Sequence, residues 1–237
     1  MSAVVFGASG GIGQALVQRL LESSWYGSVF AVSRSGRVPE GAVSIQADAL
    51  DEAALEAAAK EISAKTDRIR LCVVTVGLLH EGAGLTPEKS YRHQSRDAFE
   101  RVFAANTIAP ALITKHMLGR MPPSGRWVFA ALSARVGSIE NNDLGGWHAY
   151  RASKAALNML IRNYSIECQR RNADSICVGL HPGTVDTGLS MPFQTNVPDS
   201  QLFSPEQSAT YLLEVIDNLT AADSGKVLDW AGKVVPA

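Results

Sequence analysis

Apolar residues along the chain fall into two alternating kinds of block: short continuous runs rich in Val, Ile, Leu and Phe, and longer stretches in which they recur every three or four positions. Runs of the first kind read as strands buried on both faces, and stretches of the second as amphipathic helices. The predicted strands are 3–6, 28–32, 42–47, 70–75, 125–132, 174–180 and 226–230, and helical stretches follow at 14–21, 51–65, 95–117, 147–171 and 204–219. In the stretch 147–171 the stripe expected to be buried consists of Ala152, Ala155, Ala156, Met159, Leu160, Asn163 and Ile166. Strands and helices alternate throughout, which predicts an α/β fold: a doubly wound parallel sheet of the Rossmann type in a three-layer αβα arrangement.

Local signals sharpen the boundaries. Asp51 is placed to cap the alanine-rich helix 51–65, and Ser95 opens the helix that carries Asn106. Ser204-Pro-Glu-Gln207 combines a cap, a proline at the first helical position and a glutamine at the third. Residues 78–94, with Gly82, Gly84 and Pro87, form a long polar connection, and 187–203 reads as an irregular flap on the substrate side. His80 and His93 are isolated in the former and read as surface residues.

With 237 residues, 46% of them apolar, the chain is expected to form one domain over 1–237. A net charge of -1 leaves no electrostatic footprint for nucleic acid, and no basic run marks a membrane surface. No uninterrupted apolar stretch reaches the ~18 residues a membrane span needs, and no leader pattern precedes Ala3, so a cytoplasmic location is expected. Cys72, Cys168 and Cys177 form no C-x-x-C pair and have no histidines at ligand spacing; they read as reduced packing residues, with no metal site.

Against this background three groups of residues carry chemistry. Gly7-Ala-Ser-Gly-Gly-Ile-Gly13 lies between a predicted strand and a predicted helix, the context in which glycines let a backbone approach a pyrophosphate at the positive end of a helix. After the second strand stand Ser33 and Arg34, with Arg37 nearby; an acidic residue there would bind a ribose 2'-hydroxyl, whereas arginine accommodates a 2'-phosphate, which favours NADP(H) over NAD(H). Asp48, at the end of the third strand, suits either an adenine amino group or a turn cap, and Val76-Gly77 follows the fourth strand where the chain must turn close to a cofactor. Tyr150 and Lys154 lie four residues apart, hence on one helix face. A free phenol, with a pKa of about 10, holds roughly one part in a thousand as phenolate at pH 7. Lowering that pKa by about 3 units takes about 4 kcal/mol of differential stabilisation, which a neighbouring ammonium can supply in a dehydrated cleft. Such a pair gives a proton to a carbonyl or takes one from an alcohol. Ser133 arrives at the carboxyl end of the fifth strand, and Asn106 is a polar residue in a helix that needs a partner if buried.

Taken together, Gly7-Ala-Ser-Gly-Gly-Ile-Gly13, Asn106, the strand ending at Ser133, Tyr150-Arg-Ala-Ser-Lys154 and Pro182-Gly-Thr-Val-Asp-Thr187 resemble the short-chain dehydrogenase/reductase family over essentially the whole chain. Ser133-Ala-Arg-Val-Gly-Ser138 and Gly145-Gly-Trp147 resemble most the branch with C-factor-type signalling proteins and some carbonyl reductases. The resemblance implies that Tyr150 is the general acid/base, that Lys154 lowers its pKa and binds the nicotinamide ribose, that Ser133 orients the substrate oxygen, and that Asn106 holds a water leading from Lys154 to solvent. It further implies that Gly7, Gly11, Ile12 and Gly13 hold the pyrophosphate, Ser33 and Arg34 the 2'-phosphate, and Asp48 and Ala49 the adenine, with Ser9 also a cofactor-binding residue. Pro182, Gly183, Val185 and Thr187 embrace the nicotinamide by the same resemblance, and Gly77, Tyr150 and Lys154 are further cofactor-binding residues.

Two positions depart from the family pattern. Thr75 stands where an asparagine normally braces the sheet, and Ala134 stands where the catalytic serine commonly lies. A one-residue step along a strand reverses the face, so Ser133 reaches the site through a bulged strand end, or else Ser138 takes the role. Two functions follow: an NADP(H)-dependent oxidoreductase acting on a ketone, aldehyde or secondary alcohol, or a cofactor-binding sensor or cell-signalling protein with little catalysis. Family resemblance also implies a homodimer or homotetramer.

Overall fold

The computed structural model of the protein describes residues 1–195 and 197–237. In chain order its regular elements are β1 (Ser2–Phe6), α1 (Gly11–Glu22), β2 (Ser28–Ser33), β3 (Val43–Gln46), α2 (Glu52–Lys65), β4 (Ile69–Val74), α3 (Arg96–Phe103), α4 (Ala109–Met117), β5 (Trp127–Leu132), α5 (His148–Gln169), β6 (Ser175–His181), β7 (Thr184–Val185), β8 (Leu202–Phe203), α6 (Pro205–Asn218), β9 (Val227–Asp229) and β10 (Val234–Val235). The main sheet runs β10-β9-β6-β5-β4-β1-β2-β3 and is parallel except for β10. This is a Rossmann-type, doubly wound three-layer fold.

Strand alternation divides the core in two. Ala3 and Val5 of β1 face Leu16, Leu20, Leu212 and Ile216, the apolar stripes of α1 and α6. Val4 and Phe6 face the other side, toward Ile62, Ile113, Leu157 and Ile161 from α2, α4 and α5. Each fully buried Val, Leu, Ile or Phe among them contributes about 1.5–3 kcal/mol, and the continuous apolar runs follow from having both faces covered. The sheet order reverses at β1, which has β4 on one side and β2 on the other. Ligands of such sheets bind beyond the carboxyl ends of the strands at this switch point.

The predicted caps form as expected: Asp51 accepts from the amide of Ala54, Ser95 from that of Ala98, and Ser204 and Gln207 close a reciprocal capping box. Strand limits differ from the predicted ones by a residue or two, and β7, β8 and β10 are too short to have left a signal. The stretch 95–117 is not one regular helix: α3 passes through a π turn, Ala104–Ile108, into α4.

The stripe expected to be buried on α5 is corrected. Ala149, Ser153, Leu157, Ile161 and Ser165 are buried, whereas Ala152, Asn163 and, at 62% and 40% exposure, Met159 and Ile166 face outward. The inner face takes serines because each is satisfied within the helix, Ser153 Oγ donating to Tyr150 O and Ser165 Oγ to Arg162 O, both at 2.7 Å. The flap 187–203 contains short turns at Met191–Phe193 and Asp199–Gln201 and ends at β8, which pairs with β7, and its residue 196 is outside the described residues. Cys72 and Cys177 are buried, Cys168 is half-buried, and all three are free. Among the described residues no helix is long and apolar enough to cross a membrane.

Candidate active site

The glycine loop is shaped by its own packing before any ligand is considered. Gly7 and Ala8 both donate to Val32 O, at 3.0 and 3.1 Å, which turns the chain sharply as it leaves β1. Gly7 lies at φ 82, and a Cβ on it would come within 2.6 Å of Thr75 Oγ1. A Cβ on Gly13 would lie 2.3 Å from the carbonyl oxygen of Gly7, and one on Gly11 would lie 2.8 Å from Thr187 Cγ2. Helix α1 then begins with no side-chain cap at Gly10 and no acidic residue in its first turn, so its positive end carries amide donors with no charge of its own to answer them. That arrangement fits a pyrophosphate.

Thr75 supplies the brace that an asparagine provides in the family pattern. Its hydroxyl donates toward Phe6 O at 2.9 Å and Gly7 O at 3.1 Å, tying the end of β4 to the start of the glycine loop. A hydroxyl suffices because parallel pairing of Phe6 with Val74 already brings the two chains together.

From the loop a cleft of about 420 Å³ runs across the ends of β2 and β3, lined among others by Ser9, Ser33, Arg34, Asp48 and Ala49. Arg34 is exposed and Ser33 is buried. The backbone of Arg34 is fixed by Gln46 Nε2, which donates to its carbonyl at 2.8 Å. Asp48 Oδ1 accepts from the amide of Leu50 at 2.9 Å, so Asp48 caps a turn while bordering the cleft.

A second cleft of about 340 Å³ lies on the other side of the loop and brings together Ile12, Ser133, Tyr150, Lys154, Pro182 and Thr187. Gly10, Thr75, Val76 and Gly77 line both, so the two are one trough with Arg34 near one end and Tyr150 near the other. Gly183 and Val185 do not line it. Gly183, at φ 80, leaves room for the Phe203 ring, which a Cβ would approach to 2.6 Å, and Val185 is buried where β7 pairs with β8.

Around Tyr150 the buried polar groups Asn106, Ser153 and Lys154 are each held by hydrogen bonds. The π turn in the α3–α4 helix directs Asn106 inward, where it is fully buried. Its Oδ1 accepts from Leu78 N at 2.8 Å, and its Nδ2 donates to Leu78 O at 2.9 Å and to Ser153 Oγ at 3.0 Å. Asn106 therefore clamps the start of the 78–94 connection against the tyrosine-bearing helix. Lys154 is buried, and its Nζ donates to Leu132 O at 2.8 Å and stands 5.8 Å from the centre of the Tyr150 ring. Burial dominates both groups: the phenol is pushed up to about 12 and the ammonium down to about 8. The expected lowering of the Tyr150 pKa is thus not a property of this pair alone, because the ammonium lies against the ring and a backbone carbonyl while the phenol is desolvated.

The strand end at Ser133 does not bulge. Ser133 N donates to Leu180 O at 2.8 Å, which continues the pairing of β5 with β6, and Ala134 is extended at φ -149, ψ 145. Regular alternation turns the Ser133 side chain to α5, where its Oγ donates to Asn158 Oδ1 at 2.6 Å. Ala134 belongs instead to the apolar cluster that contains Tyr150. Ser138 Oγ donates to Ala237 O at 3.2 Å and accepts from Asn141 N at 3.1 Å, away from the residues that line the trough.

Three further contributors carry no clear signal in the sequence. Ser153 is the partner of Asn106, legible only once the helix face is known. Glu88, in the connection 78–94, is buried, and its carboxylate accepts from the amide of Ala149, a contact with no local signal. His80 is not a free surface residue: its Nε2 is 2.8 Å from Gly188 O, and its ring meets Phe193 edge-on at 5.7 Å.

Comparison with known proteins adds a second line of information. The model of the short chain dehydrogenase family matches residues 1–198. The chain is 37% identical over 136 residues to the C-signal protein of Myxococcus xanthus, covering 57% of this chain and 76% of that protein. It is 35% identical over 130 residues to the 1-hydroxy-2-glutathionyl-2-methyl-3-butene dehydrogenase of a Rhodococcus strain, covering 55% of this chain and 54% of that enzyme. Among solved structures, the NADPH-bound carbonyl reductase from chicken fatty liver superposes with a TM-score of 0.83 at 28% identity, over 99% of this chain and 98% of that one.

Proposed function

Because the chain belongs to the short chain dehydrogenase family, we propose that it is an NADP(H)-dependent oxidoreductase that interconverts a ketone or aldehyde and the corresponding alcohol, with Tyr150 as general acid/base. The observation that carries this reading is the continuity of the trough, which links Arg34 and Ser33 at one end to Tyr150 and Lys154 at the other. The NADPH seen in the chicken carbonyl reductase supports the choice of cofactor.

A dinucleotide fits what the chain offers. The open amides of α1 and the Cβ-free surface at Gly11 would hold the pyrophosphate, Arg34 and Ser33 the 2'-phosphate, Asp48 and Ala49 the adenine, and Pro182 and Thr187 the nicotinamide end. When bound, nicotinamide supplies the hydride. The chain's own part is to move the proton. A phenol held near pKa 12 is fully protonated at neutral pH, so Tyr150 is loaded to donate to a carbonyl oxygen. Lys154, fixed by Leu132 O, provides the nearby positive charge that favours the phenolate left behind. Asn106 holds the floor of the site at Leu78, and Ser133 fixes α5 through Asn158.

A second reading, a cofactor-binding signalling protein with little catalysis, is favoured by the similarity to C-signal and by the absence of a serine hydroxyl at position 134. The outward apolar residues of α5, Met159 and Ile166, together with the exposed Ile108, support association of two or four copies.

Titration of the protein with NADPH and with NADH, followed by nicotinamide fluorescence, tests this reading together with a screen of carbonyl substrates. Tighter NADPH binding and oxidation of NADPH by a ketone or aldehyde are expected. Tight NADPH binding without turnover of any carbonyl would favour the signalling reading, and binding of neither cofactor would contradict both.

A further inference from the structure

Among the described residues Trp147 is the one non-glycine residue with positive φ, at φ 50, ψ 43. It follows Gly145 and Gly146, at φ 63 and 68, so three successive residues take the left-handed region just before the helix that carries Tyr150. A bulky side chain rarely adopts this conformation, and where it persists the surroundings must hold it.

What holds it is Glu88. Trp147 N donates to Glu88 O at 2.5 Å, and Ala149 N lies 3.3 Å from each oxygen of the buried Glu88 carboxylate. Helix α5 has no cap from its own sequence and no acidic residue in its first turn, so a carboxylate from the 78–94 connection stands at its positive end. At φ 68 Gly146 takes a backbone conformation that favours glycine, and a Cβ there would also lie 3.3 Å from the same Glu88 carbonyl.

The strained turn sets the position of one ring. The Trp147 indole meets the Tyr150 ring edge-on, with centroids 6.2 Å apart, and packs against Phe193 of the flap at 5.0 Å. Phe193 touches His80, which is joined to the flap backbone at Gly188. Trp147 is only partly buried, whereas Ala134, Leu79 and Leu85 of the same cluster are buried. The wall that Trp147 and Phe193 form against the Tyr150 ring is therefore aromatic and apolar.

We propose that Trp147, held by Glu88, is the specificity-determining residue of the site, its indole receiving the flat face of an aryl ketone or aldehyde whose carbonyl oxygen lies at Tyr150. This rests on the carbonyl-reducing reading above. Ring-on-ring contact beyond simple area burial discriminates by about three- to tenfold.

Acetophenone and cyclohexyl methyl ketone form a matched pair that differs in the flatness of the ring. Compared with wild type, Trp147→Leu should lower the acetophenone-to-cyclohexyl ratio of kcat/KM by about three- to tenfold, chiefly through KM, while Trp147→Phe retains most of it. Phe193→Leu, on the opposite side of the wall, should lower the ratio too and serves if Trp147→Leu fails to fold. Saturation-transfer NMR of both ketones in the presence of NADP⁺ needs no turnover: the acetophenone ring protons should saturate more strongly in wild type than in Trp147→Leu. Unchanged ratios and unchanged ring saturation in these variants would overturn the assignment. Absence of turnover with selective ring saturation would instead contradict the carbonyl-reducing reading while upholding the role of Trp147.

Discussion

The hydroxyl of Ser133 lies 2.6 Å from Asn158 Oδ1, one helical turn beyond Lys154, and not beside the phenol of Tyr150 as a catalytic serine would. The neighbouring residue on the Tyr150 side is Ala134. Ser133→Ala should therefore cost about 1 kcal/mol of stability, the usual net worth of one buried hydrogen bond, and less than a tenfold loss in kcat. Ala134→Ser should raise kcat for a carbonyl substrate, because it adds a donor where charge develops on the substrate oxygen. Steady-state kinetics with urea unfolding checks both; a loss above a hundredfold in Ser133→Ala with stability intact would restore Ser133 as the group that touches substrate.

Burial of the pair sets the pH dependence. Tyr150, pushed up to about 12, carries its proton throughout the neutral range, and Lys154, pushed down to about 8, loses its charge as pH rises past that point. The kcat/KM for carbonyl reduction should be flat from about pH 6 to 7 and decline above about 8, whereas alcohol oxidation, which needs the phenolate, should rise with pH over the same range. A reductive profile that climbs between pH 6 and 8 would contradict this.

His181 gives a prediction about stability. Its Nδ1 is buried with no partner, and burial, with Arg135 nearby, pushes it down from 6.5 to about 4 although Asp229 opposes the shift. The depressed value means that its contribution is complete above about pH 6.5 and is lost as the pH falls through about 4. The loss amounts to at most about 3 kcal/mol. Urea unfolding at pH 7, 5 and 4 should show a smaller acid-side loss for His181→Phe than for wild type; equal losses would show that His181 is not the group that titrates.

The alternation of strands and helices and the chemistry-bearing segments were legible because they rest on local signals: runs buried on both faces, glycines in a strand-turn-helix context, and a Tyr-Lys pair one turn apart. The inner face of α5 was not, because Ser153 and Ser165 satisfy themselves within the helix, so burial follows their small size and not their polarity. The clamp of Asn106 on Leu78 depends on a π turn, and the cap of Glu88 on Ala149 joins residues 61 apart; neither leaves a pattern in the chain. Thr75 stood out as a departure from the family, yet its hydroxyl braces Gly7, and only the proximity of β1 and β4 makes that visible.

The most direct measurement of the central claim is single-turnover carbonyl reduction by wild type and Tyr150→Phe at pH 7, with NADPH affinity determined for both. Loss of the proton donor should lower the rate by about 10²- to 10⁴-fold, while NADPH affinity changes little, since Tyr150 acts on the substrate oxygen. Reduction by Tyr150→Phe at a rate near that of wild type would contradict Tyr150 as the general acid.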